Sequence, residues 1–455
     1  MGVLKNFFKK NNAEAGKTAS SGNHYMTGKE IRAIAKENNK IMRALEKEKM
    51  RKKPESEYLS TMKDDNNILE IENLHSYFYT DQGVVKAVNG VTFSIPLNST
   101  VGVVGESGCG KSVTSMSVMR LLQGPSGQIV DGSIRFKAND FKRDEKGNFI
   151  PVYEKDEDGN VIFDQVLDKN GNVKLDKEGN PVLKPRQAKD ENGIGIYEKE
   201  EKVFDIAKMP INEMYRLRGR QMSMVFQEPM TSLNPVFTIG DQLDEVTLLH
   251  VPGATKELAK KRSIDMLNLV GIAMPERVYA SYPHELSGGM RQRIMIAMAL
   301  AGEPRLIIAD EPTTALDVTI QAQVLDLFND LKTRINGSIL LITHDLGVIA
   351  EMADYVVVMY AGRIIEQGTA SEIFHNPCHP YTQGLQKSKP TMKSNEEQLF
   401  NIPGNVPNPV DMPNYCYFKE RCSQCIGKCS GEYPCMVQVS PTHFVACHLY
   451  DAKEN

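Results

Sequence analysis

The chain has 455 residues, too many for one compact core, so two or three domains are expected. Its composition, 41% hydrophobic and 25% charged, is ordinary for a globular protein, and the net charge of −4 argues against nucleic acid as a main partner. No uninterrupted apolar run approaches the roughly 18–20 residues that cross a bilayer. The first ten residues are basic but lack the apolar core of a secretory signal, so we expect a cytosolic chain.

Residues 1–66 form a polar, basic extension, with 14 Lys and Arg against 5 Asp and Glu over residues 1–53. Residues 28–53 have helix-favouring composition with apolar residues at helical spacings. One interpretation is attraction to anionic lipid, assisted by Phe7 and Phe8. The favoured interpretation is a solvated, partly disordered tail.

Strand patterns follow the extension. Residues 68–72 and 91–95 alternate apolar and polar side chains, which predicts half-buried antiparallel strands. Residues 101–104 form a continuous apolar strand that runs into a glycine-rich loop, and residues 113–122 are predicted to be the next helix.

Residues 138–206 repeat a turn-forming Gly-Asn unit, at Gly147, Gly159, Gly171 and Gly179. Gly-Asn between short Val-, Ile- and Phe-containing runs predicts β-hairpins. The many charges leave little apolar surface for a core. We therefore expect a solvent-exposed hairpin insertion, and a tolerated loop expansion without a function of its own is the favoured interpretation.

The glycine-rich loop matches the pattern G-x-x-x-x-G-K-[ST] and stands between a buried strand and a helix, as that motif requires. Its residues are Gly105, Glu106, Ser107, Gly108, Cys109, Gly110, Lys111 and Ser112. Such a loop wraps phosphates with backbone N–H groups at a helix N-terminus. Lys111 is expected to reach the β- and γ-phosphates of a nucleoside triphosphate and Ser112 to reach Mg²⁺. The Cys109 side chain need not react.

Two further segments complete this chemistry. Residues 306–312 are an apolar strand ending in Asp310, which can hold Mg²⁺ through water, and Glu311, which can polarise an attacking water. Ser287, Gly288 and Gly289 precede an apolar helix and give backbone donors close access to a γ-phosphate. The chain's own phosphate loop is not a plausible target for them, which implies a second ATPase subunit facing this one.

Together with Gln227, Asp317 and His344, these segments resemble the motif set of ATP-binding cassette (ABC) transporter ATPases. The resemblance implies that Gln227 contacts Mg²⁺ and water and relays closure to membrane subunits. It implies that Asp317 lies at the dimer seam and that His344 holds the γ-phosphate near Glu311. An aromatic residue should stack on adenine. Phe78 is our choice, with Tyr77 and Tyr79 as alternatives.

The chain is similar to the oligopeptide/dipeptide permease ATPase subunits over about residues 67–137 and 207–450. The segments that carry this resemblance are residues 226–235, 286–293, 379–382, 402–404 and 416–422. The implied fold is α/β: an ABC-type P-loop nucleotide-binding domain with a RecA-like core, an antiparallel β subdomain and a helical signature subdomain. On this basis residues 67–375 form the cassette, interrupted by the β-hairpin insertion at 138–206. Residues 376–455 form a linker and a small Cys-rich C-terminal domain.

Six of the eight cysteines fall within the last 40 residues. In a reducing compartment such a cluster indicates metal or iron–sulfur ligation before disulfides. Four of them match the family's cysteine pattern, which the resemblance associates with a [4Fe–4S] cluster: Cys416, Cys422, Cys429 and Cys447. Zn²⁺ is the alternative and free thiols come last. Cys425 and Cys435 are additional, and either could replace a ligand or be a free thiol.

The predicted function is ATP hydrolysis that powers import of oligopeptides or dipeptides, from the cytoplasmic face of the cell membrane. The resemblance implies two separate transmembrane permease subunits, a partner ATPase expected to be a different chain, and an extracytoplasmic peptide-binding protein. Two alternatives stay open: the same importer acting on nickel or another small solute, and a soluble ABC ATPase acting on nucleic acid or ribosomes. The single phosphate loop and the lack of basic stripes disfavour the latter.

Overall fold

The computed structural model describes residues 27–168, 172–190, 193–228, 232–313, 318–388 and 401–451. No helix in these ranges combines the length and apolar character that a bilayer span requires. The strands are β1 (Asn67–Tyr79), β2 (Val84–Pro96), β3 (Thr100–Val104), β4 (Gly127–Phe141), β5 (Phe163–Gln165), β6 (Leu183–Pro185), β7 (Lys199–Asp205), β8 (Met222–Val225), β9 (Leu306–Asp310), β10 (Ser338–Ile342), β11 (Tyr355–Tyr360), β12 (Arg363–Thr369), β13 (Val437–Gln438) and β14 (Phe444–Val445).

The helices in the same ranges are α1 (Gly28–Met50), α2 (Lys111–Val118), α3 (Ile239–His250), α4 (Lys256–Leu269), α5 (Pro275–Tyr279), α6 (Gly288–Leu300), α7 (Val318–Ile335), α8 (Leu346–Met352), α9 (Ala370–His375) and α10 (Pro380–Lys387). Short 3₁₀ turns occur at Glu55–Glu57, Ile211–Arg216, Pro283–Glu285, Gly427–Ser430 and His448–Tyr450.

The larger sheet has the strand order β13-β14-β12-β11-β3-β10-β9-β8. Strands β11, β3, β10, β9 and β8 run parallel, and β3, β9 and β10 are buried along their whole length. Continuous apolar strands are typical of a parallel sheet covered on both faces. Because neighbouring parallel strands end at one edge, the segments after β3, β8, β9 and β10 meet there. Five of the predicted nucleotide-site residues occur in these segments: Lys111, Ser112, Gln227, Glu311 and His344.

The smaller sheet is antiparallel, in the order β2-β1-β4-β7. The predicted strands at 68–72 and 91–95 lie within β1 and β2, where Ile71 faces Phe93 across the pair. Over residues 91–95 of β2 the apolar side chains are buried and the polar ones are more exposed, as the alternating pattern predicts. The prediction of a half-buried strand is wrong for the start of β1, because residues 67–71 are buried on both faces. Glu70 is only 3% exposed there and accepts a hydrogen bond from Arg135 Nε at 3.0 Å.

The helix after the phosphate loop was predicted to run to Leu122, and this prediction was wrong. Helix α2 ends at Val118. Arg120 takes a left-handed backbone conformation (φ +54°), and Leu121 N–H donates to the Met116 carbonyl at 2.8 Å. A left-handed residue at this position ends a helix. The Arg120 guanidinium donates to the Ile206 carbonyl at 2.9 Å, a contact across 86 residues that local propensity does not encode.

The described residues 142–168, 172–190 and 193–198 form short paired segments, and five aspartates mark similar turns between them. In each turn an aspartate accepts a hydrogen bond at 2.8–2.9 Å from the backbone N–H four residues later; the aspartates are Asp144, Asp156, Asp168, Asp176 and Asp190. Between the turns, single β-bridges such as Arg143 with Phe149 and Lys155 with Val161 hold the segments together. Such aspartate-to-backbone bonds favour tight turns without help from a core.

Residues 28–53 were predicted to favour helix, and α1 (Gly28–Met50) confirms it. Thr27 caps the helix in a capping box with Glu30. Two side chains attach α1 to the antiparallel sheet: Asn38, which is buried, donates to the Thr80 carbonyl at 2.6 Å, and Glu46 accepts from Gln128 at 2.8 Å. The helix therefore packs on the protein rather than standing free.

We expect Asn38→Ala to lower the free energy of unfolding by about 1 kcal/mol, because it leaves the Thr80 carbonyl without its donor. Denaturant titration would measure the loss. Asn39→Ala is the matched control, because Asn39 is exposed on the same helix. Equal effects of the two substitutions would contradict the importance of this contact.

Candidate nucleotide-binding site

The phosphate loop connects β3 to α2, and its backbone conformation depends on glycine. Gly105, Gly108 and Gly110 have φ values of +154°, +80° and +100°. A Cβ atom on Gly105 would collide with the Met359 carbonyl oxygen, and one on Gly110 with the Ala87 carbonyl oxygen. Glycine is needed at both positions because the loop needs left-handed backbone and close contact with neighbouring strands.

Lys111, the first residue of α2, is only 4% exposed. Its Nζ donates to the Gly105 carbonyl at 2.8 Å and to the Glu106 carbonyl at 3.1 Å, so the ammonium lies within the curve of the loop. Cys109 is buried, and burial raises the pKa of its thiol, so this cysteine stays protonated and unreactive at neutral pH.

Ser112 and Asp310 meet at the ends of α2 and β9. The Ser112 hydroxyl donates to Asp310 Oδ1 at 2.9 Å, and Ser115 lies 3.4 Å from Oδ2. Burial, reinforced by the charge of Glu311 and opposed by the Ser112 hydrogen bond, raises the pKa of Asp310. A hydroxyl beside a buried carboxylate offers the hard oxygen ligands that Mg²⁺ prefers.

Glu311 lies next to Asp310 and is bracketed by two side chains from other strand ends. Gln227 Nε2 donates to Glu311 Oε2 at 3.0 Å, and His344 Nδ1 lies 3.3 Å from Oε1. Glu311 has φ +48°, an unusual conformation for a non-glycine residue. Backbone strain of this kind is found at functional sites, and the geometry brings a carboxylate, an amide and an imidazole together where water can be activated.

Three predicted phosphate-binding residues lie at the N-terminus of α6: Ser287, the N-cap, followed by Gly288 and Gly289. Ser287 caps the helix by accepting from the Met290 N–H at 3.3 Å. Ser287 and Gly288 are exposed, and a Cβ atom on Gly288 would meet nothing within 4 Å. This helix end therefore presents open backbone to its surroundings, as binding of a phosphate carried by another subunit requires.

Phe78 lies near the end of β1, opposite Val85 and Gly127. Its ring packs over Gly127, where an added Cβ would lie 2.8 Å from the ring carbon Cε1. Of the two alternatives, Tyr77 is engaged through its hydroxyl with Asn89 at 3.1 Å and Tyr79 is buried. Phe78 thus remains our choice for stacking on adenine. Asp317 lies outside the described residues.

The Cys416 thiol interacts electrostatically with the thiols of the other three cysteines predicted as ligands, but among the described residues no three of these sulfur atoms lie within 4.8 Å of one another. Cys416, Cys429 and Cys447 are buried and Cys422 is partly buried, all as free thiols. Burial, with the neighbouring thiols, raises the pKa of Cys416 to about 12 and that of Cys447 to about 11. The donor set suits Zn²⁺ or an iron–sulfur cluster, and binding of either would have to displace the thiol protons. The two additional cysteines, Cys425 and Cys435, are exposed.

Sequence reasoning missed a second buried polar cluster, where β12 contacts the C-terminal tail (residues 376–455). Glu366, fully buried, accepts hydrogen bonds from the N–H groups of Cys378 (2.6 Å) and His379 (2.9 Å) and lies 2.8 Å from His443 Nε2. Donor atoms of Glu366, Cys378 and His443 lie within 4.8 Å of one another, but the carboxylate is already well bonded. The buried Glu366 carboxylate therefore bonds β12 to two segments of the C-terminal tail, one at residues 378–379 and one at His443.

Family models match two parts of the chain. Residues 88–314 match the model described as ABC transporter, and residues 365–429 match that described as oligopeptide/dipeptide transporter, C-terminal region. The first covers the phosphate loop, Asp310 and Glu311, and the second covers three of the four clustered cysteines. Along the chain the ABC transporter match comes before the C-terminal-region match, which is the order of the corresponding motifs in the sequence.

Curated relatives match over nearly their whole length. The oligopeptide transport ATP-binding protein AppD of Bacillus subtilis (strain 168) is 41% identical over 85% of this chain and 98% of its own length. The dipeptide transport ATP-binding protein DppD of the same organism is 41% identical over 85% of this chain and 96% of its own. A solved dimeric ATP-binding cassette, MJ0796 bound to ADP and Pi, is 19% identical with a TM-score of 0.47, covering 66% of this chain and 98% of that one.

Proposed function

This chain belongs to the ATP-binding subunits of oligopeptide and dipeptide ABC transporters, and from that premise we propose that it hydrolyses ATP to drive import of peptides through separate membrane subunits. The observation that carries the proposal is the position of Glu311, between Gln227 and His344 and beside the Ser112–Asp310 pair. This constellation has the parts that phosphoryl transfer to water needs.

Each residue has a role in this mechanism. Lys111 and the loop N–H groups bind the β- and γ-phosphates, and Phe78 stacks on the adenine. Glu311 orients a water molecule and accepts its proton as the water attacks the γ-phosphorus, while His344 holds the γ-phosphate. The bond from the γ-phosphorus to the β–γ bridging oxygen breaks in the same step, so ADP leaves and inorganic phosphate is formed. Mg²⁺, held by Ser112 and Asp310 with Gln227 nearby, would neutralise charge on the phosphates.

The site is composite. Ser287 and Gly288 are exposed at a helix N-terminus and Gly289 follows them, partly buried. We assign these three residues to the γ-phosphate bound by a second ATPase subunit, with Asp317 at the seam between the two. That subunit is expected to be a different chain. Two transmembrane permease subunits and, indirectly, an extracytoplasmic peptide-binding protein complete the importer, so the chain acts at the cytoplasmic face of the membrane.

The domain organisation in this proposal follows the sequence boundaries. Residues 67–375 form the cassette, interrupted at 138–206 by an exposed hairpin insertion, and residues 1–66 form the N-terminal extension. Residues 376–455 form the linker and Cys-rich region. The bridges and aspartate turns of residues 142–198 support an insertion that folds without a core of its own.

For the cysteines, we propose that Cys416, Cys422, Cys429 and Cys447 hold a [4Fe–4S] cluster, with Zn²⁺ as the alternative, in a structural role. Anaerobic purification followed by iron, sulfide and zinc analysis tests this. We expect Cys416→Ser to abolish metal retention and Cys435→Ser, at an exposed thiol, to leave it intact. Full metal retention in Cys416→Ser, or no metal in the wild-type chain, would contradict the assignment.

The transport proposal is tested in proteoliposomes that contain this chain, its membrane subunits, the partner ATPase and the binding protein. We expect ATP-dependent uptake of labelled oligopeptides or dipeptides, and none with Lys111→Ala, because the loop loses its phosphate-binding ammonium. Uptake of nickel but not of peptides would favour the small-solute alternative. ATPase activity stimulated by RNA, without any uptake, would overturn the transport function.

A further inference from the structure

An ion pair joins the phosphate loop (residues 105–112) to the Cys-rich part of the C-terminal tail (residues 376–455). Arg421, immediately before Cys422, donates from Nη1 to Glu106 Oε2 at 2.7 Å and from Nη2 to Glu106 Oε1 at 3.0 Å. This is the bidentate geometry in which arginine binds a carboxylate best. The two residues are 315 positions apart in the chain.

Arg421 is itself held in place. Its side chain is only 5% exposed, and it also donates to the Pro403 carbonyl at 2.9 Å and to the Tyr360 hydroxyl at 3.3 Å. Because these partners fix all parts of the guanidinium, the residue cannot follow Glu106 if the loop moves. The tail therefore defines where the Glu106 carboxylate lies.

A second contact joins the loop to the same region. The Glu106 N–H donates to the Tyr381 hydroxyl at 2.8 Å. The Tyr381 ring packs against Phe418, three residues before Arg421, with 5.4 Å between ring centroids. Glu106 is therefore bonded to Tyr381 through its backbone and to Arg421 through its side chain. Both partners lie in the C-terminal tail.

The charge on Glu106 gives this contact a consequence for nucleotide binding. A phosphate loop binds a polyanion, and a carboxylate within the loop would repel the phosphates if it were free to turn toward them. Arg421 neutralises that carboxylate and directs it toward the tail. Lys111, whose Nζ lies 3.1 Å from the Glu106 carbonyl, is then left as the loop's own cation for the phosphates.

We infer that Arg421 is a positioning residue for ATP: through Glu106 it fixes the phosphate loop and removes a negative charge from the triphosphate site. The inference rests on the proposed ATPase function and adds to it that part of the phosphate-binding apparatus lies in the last 40 residues. Arg421 acts through Glu106 and touches neither the nucleotide nor the attacking water.

The experiment compares Arg421→Gln, Glu106→Gln and the double variant in the assembled complex, reading KM for ATP, kcat and the unfolding midpoint. We expect Arg421→Gln to raise KM about tenfold, because the Glu106 carboxylate, 31% exposed, loses its cation and stays beside the phosphate site. The change in kcat should be smaller. Glu106→Gln leaves Arg421 without its carboxylate partner but leaves no negative side chain in the loop to repel the phosphates, so it should raise KM less. The double variant should recover most of the loss caused by Arg421→Gln alone.

Lys428→Gln is the matched control, because Lys428 is a tail cation 3.7 Å from Asp451 and 58% exposed. It should leave KM unchanged. A lowered unfolding midpoint for Arg421→Gln with an unchanged KM, or additive effects in the double variant, would overturn the inference. If Arg421→Gln does not fold, recovery of both folding and a near-normal KM in the double variant still supports the inference, and failure to recover overturns it. A wild-type complex without ATPase activity would instead refute the proposed function.

Discussion

Replacing Glu311 by glutamine should lower kcat for ATP hydrolysis by the assembled complex about 10²–10⁴-fold, the usual contribution of a positioned general base. The amide keeps the size of the side chain but cannot accept the proton of the attacking water. Gln227 and His344 hold Glu311 from both sides, at 3.0 and 3.3 Å, so the substituted side chain should stay in place. Steady-state hydrolysis and equilibrium ATP binding are the two measurements.

ATP binding should survive this substitution, because Lys111 and the loop N–H groups are untouched. Retained binding with lost turnover separates a failed chemical step from a misfolded site. Glu351→Gln is a suitable control, since Glu351 is an exposed carboxylate at the end of α8. A kcat within about twofold of wild type for Glu311→Gln would rule out Glu311 as the base.

The phosphate loop and the catalytic carboxylates were predictable because each follows a buried strand and has a local sequence motif. Ser112 and Asp310 are almost 200 residues apart, yet both could be assigned to the same edge of a parallel sheet, where they lie 2.9 Å from each other. The buried side chains of β2 over residues 91–95 were equally predictable, since alternation of apolar and polar residues identifies them. In these cases the residue types that mark a motif or a strand in the sequence are the same residue types that make the contacts in the folded protein.

The features that the sequence did not predict depend on tertiary contacts alone. The end of α2 at Val118 depends on Arg120, whose guanidinium bonds to the Ile206 carbonyl. The pair of Arg421 and Glu106 has no local signature, because an arginine before a cysteine gives no information about its partner. The attachment of α1 through Asn38 is similar, since a polar residue on an amphipathic helix is normally assigned to solvent.

Gly110→Ala should strongly destabilise the phosphate loop. Gly110 is the N-cap residue of α2 and has φ +100°, a conformation that costs other residues about 1–3 kcal/mol. The added Cβ would also collide with the Ala87 carbonyl oxygen, a backbone atom of β2 that cannot turn aside as a side chain would. Strain and collision together should lower the free energy of unfolding by more than about 4 kcal/mol.

Gly159→Ala separates the two contributions. Gly159 has φ +85°, but a Cβ there meets nothing within 4 Å, so only the backbone strain applies. We expect a loss of about 1–2 kcal/mol and unchanged ATP binding. Denaturant titration of both variants, with ATP binding measured in parallel, gives the comparison. If both variants lost the same free energy of unfolding, the collision with Ala87 would contribute nothing. The close packing of the loop against β2 could then not be what orients the loop N–H groups.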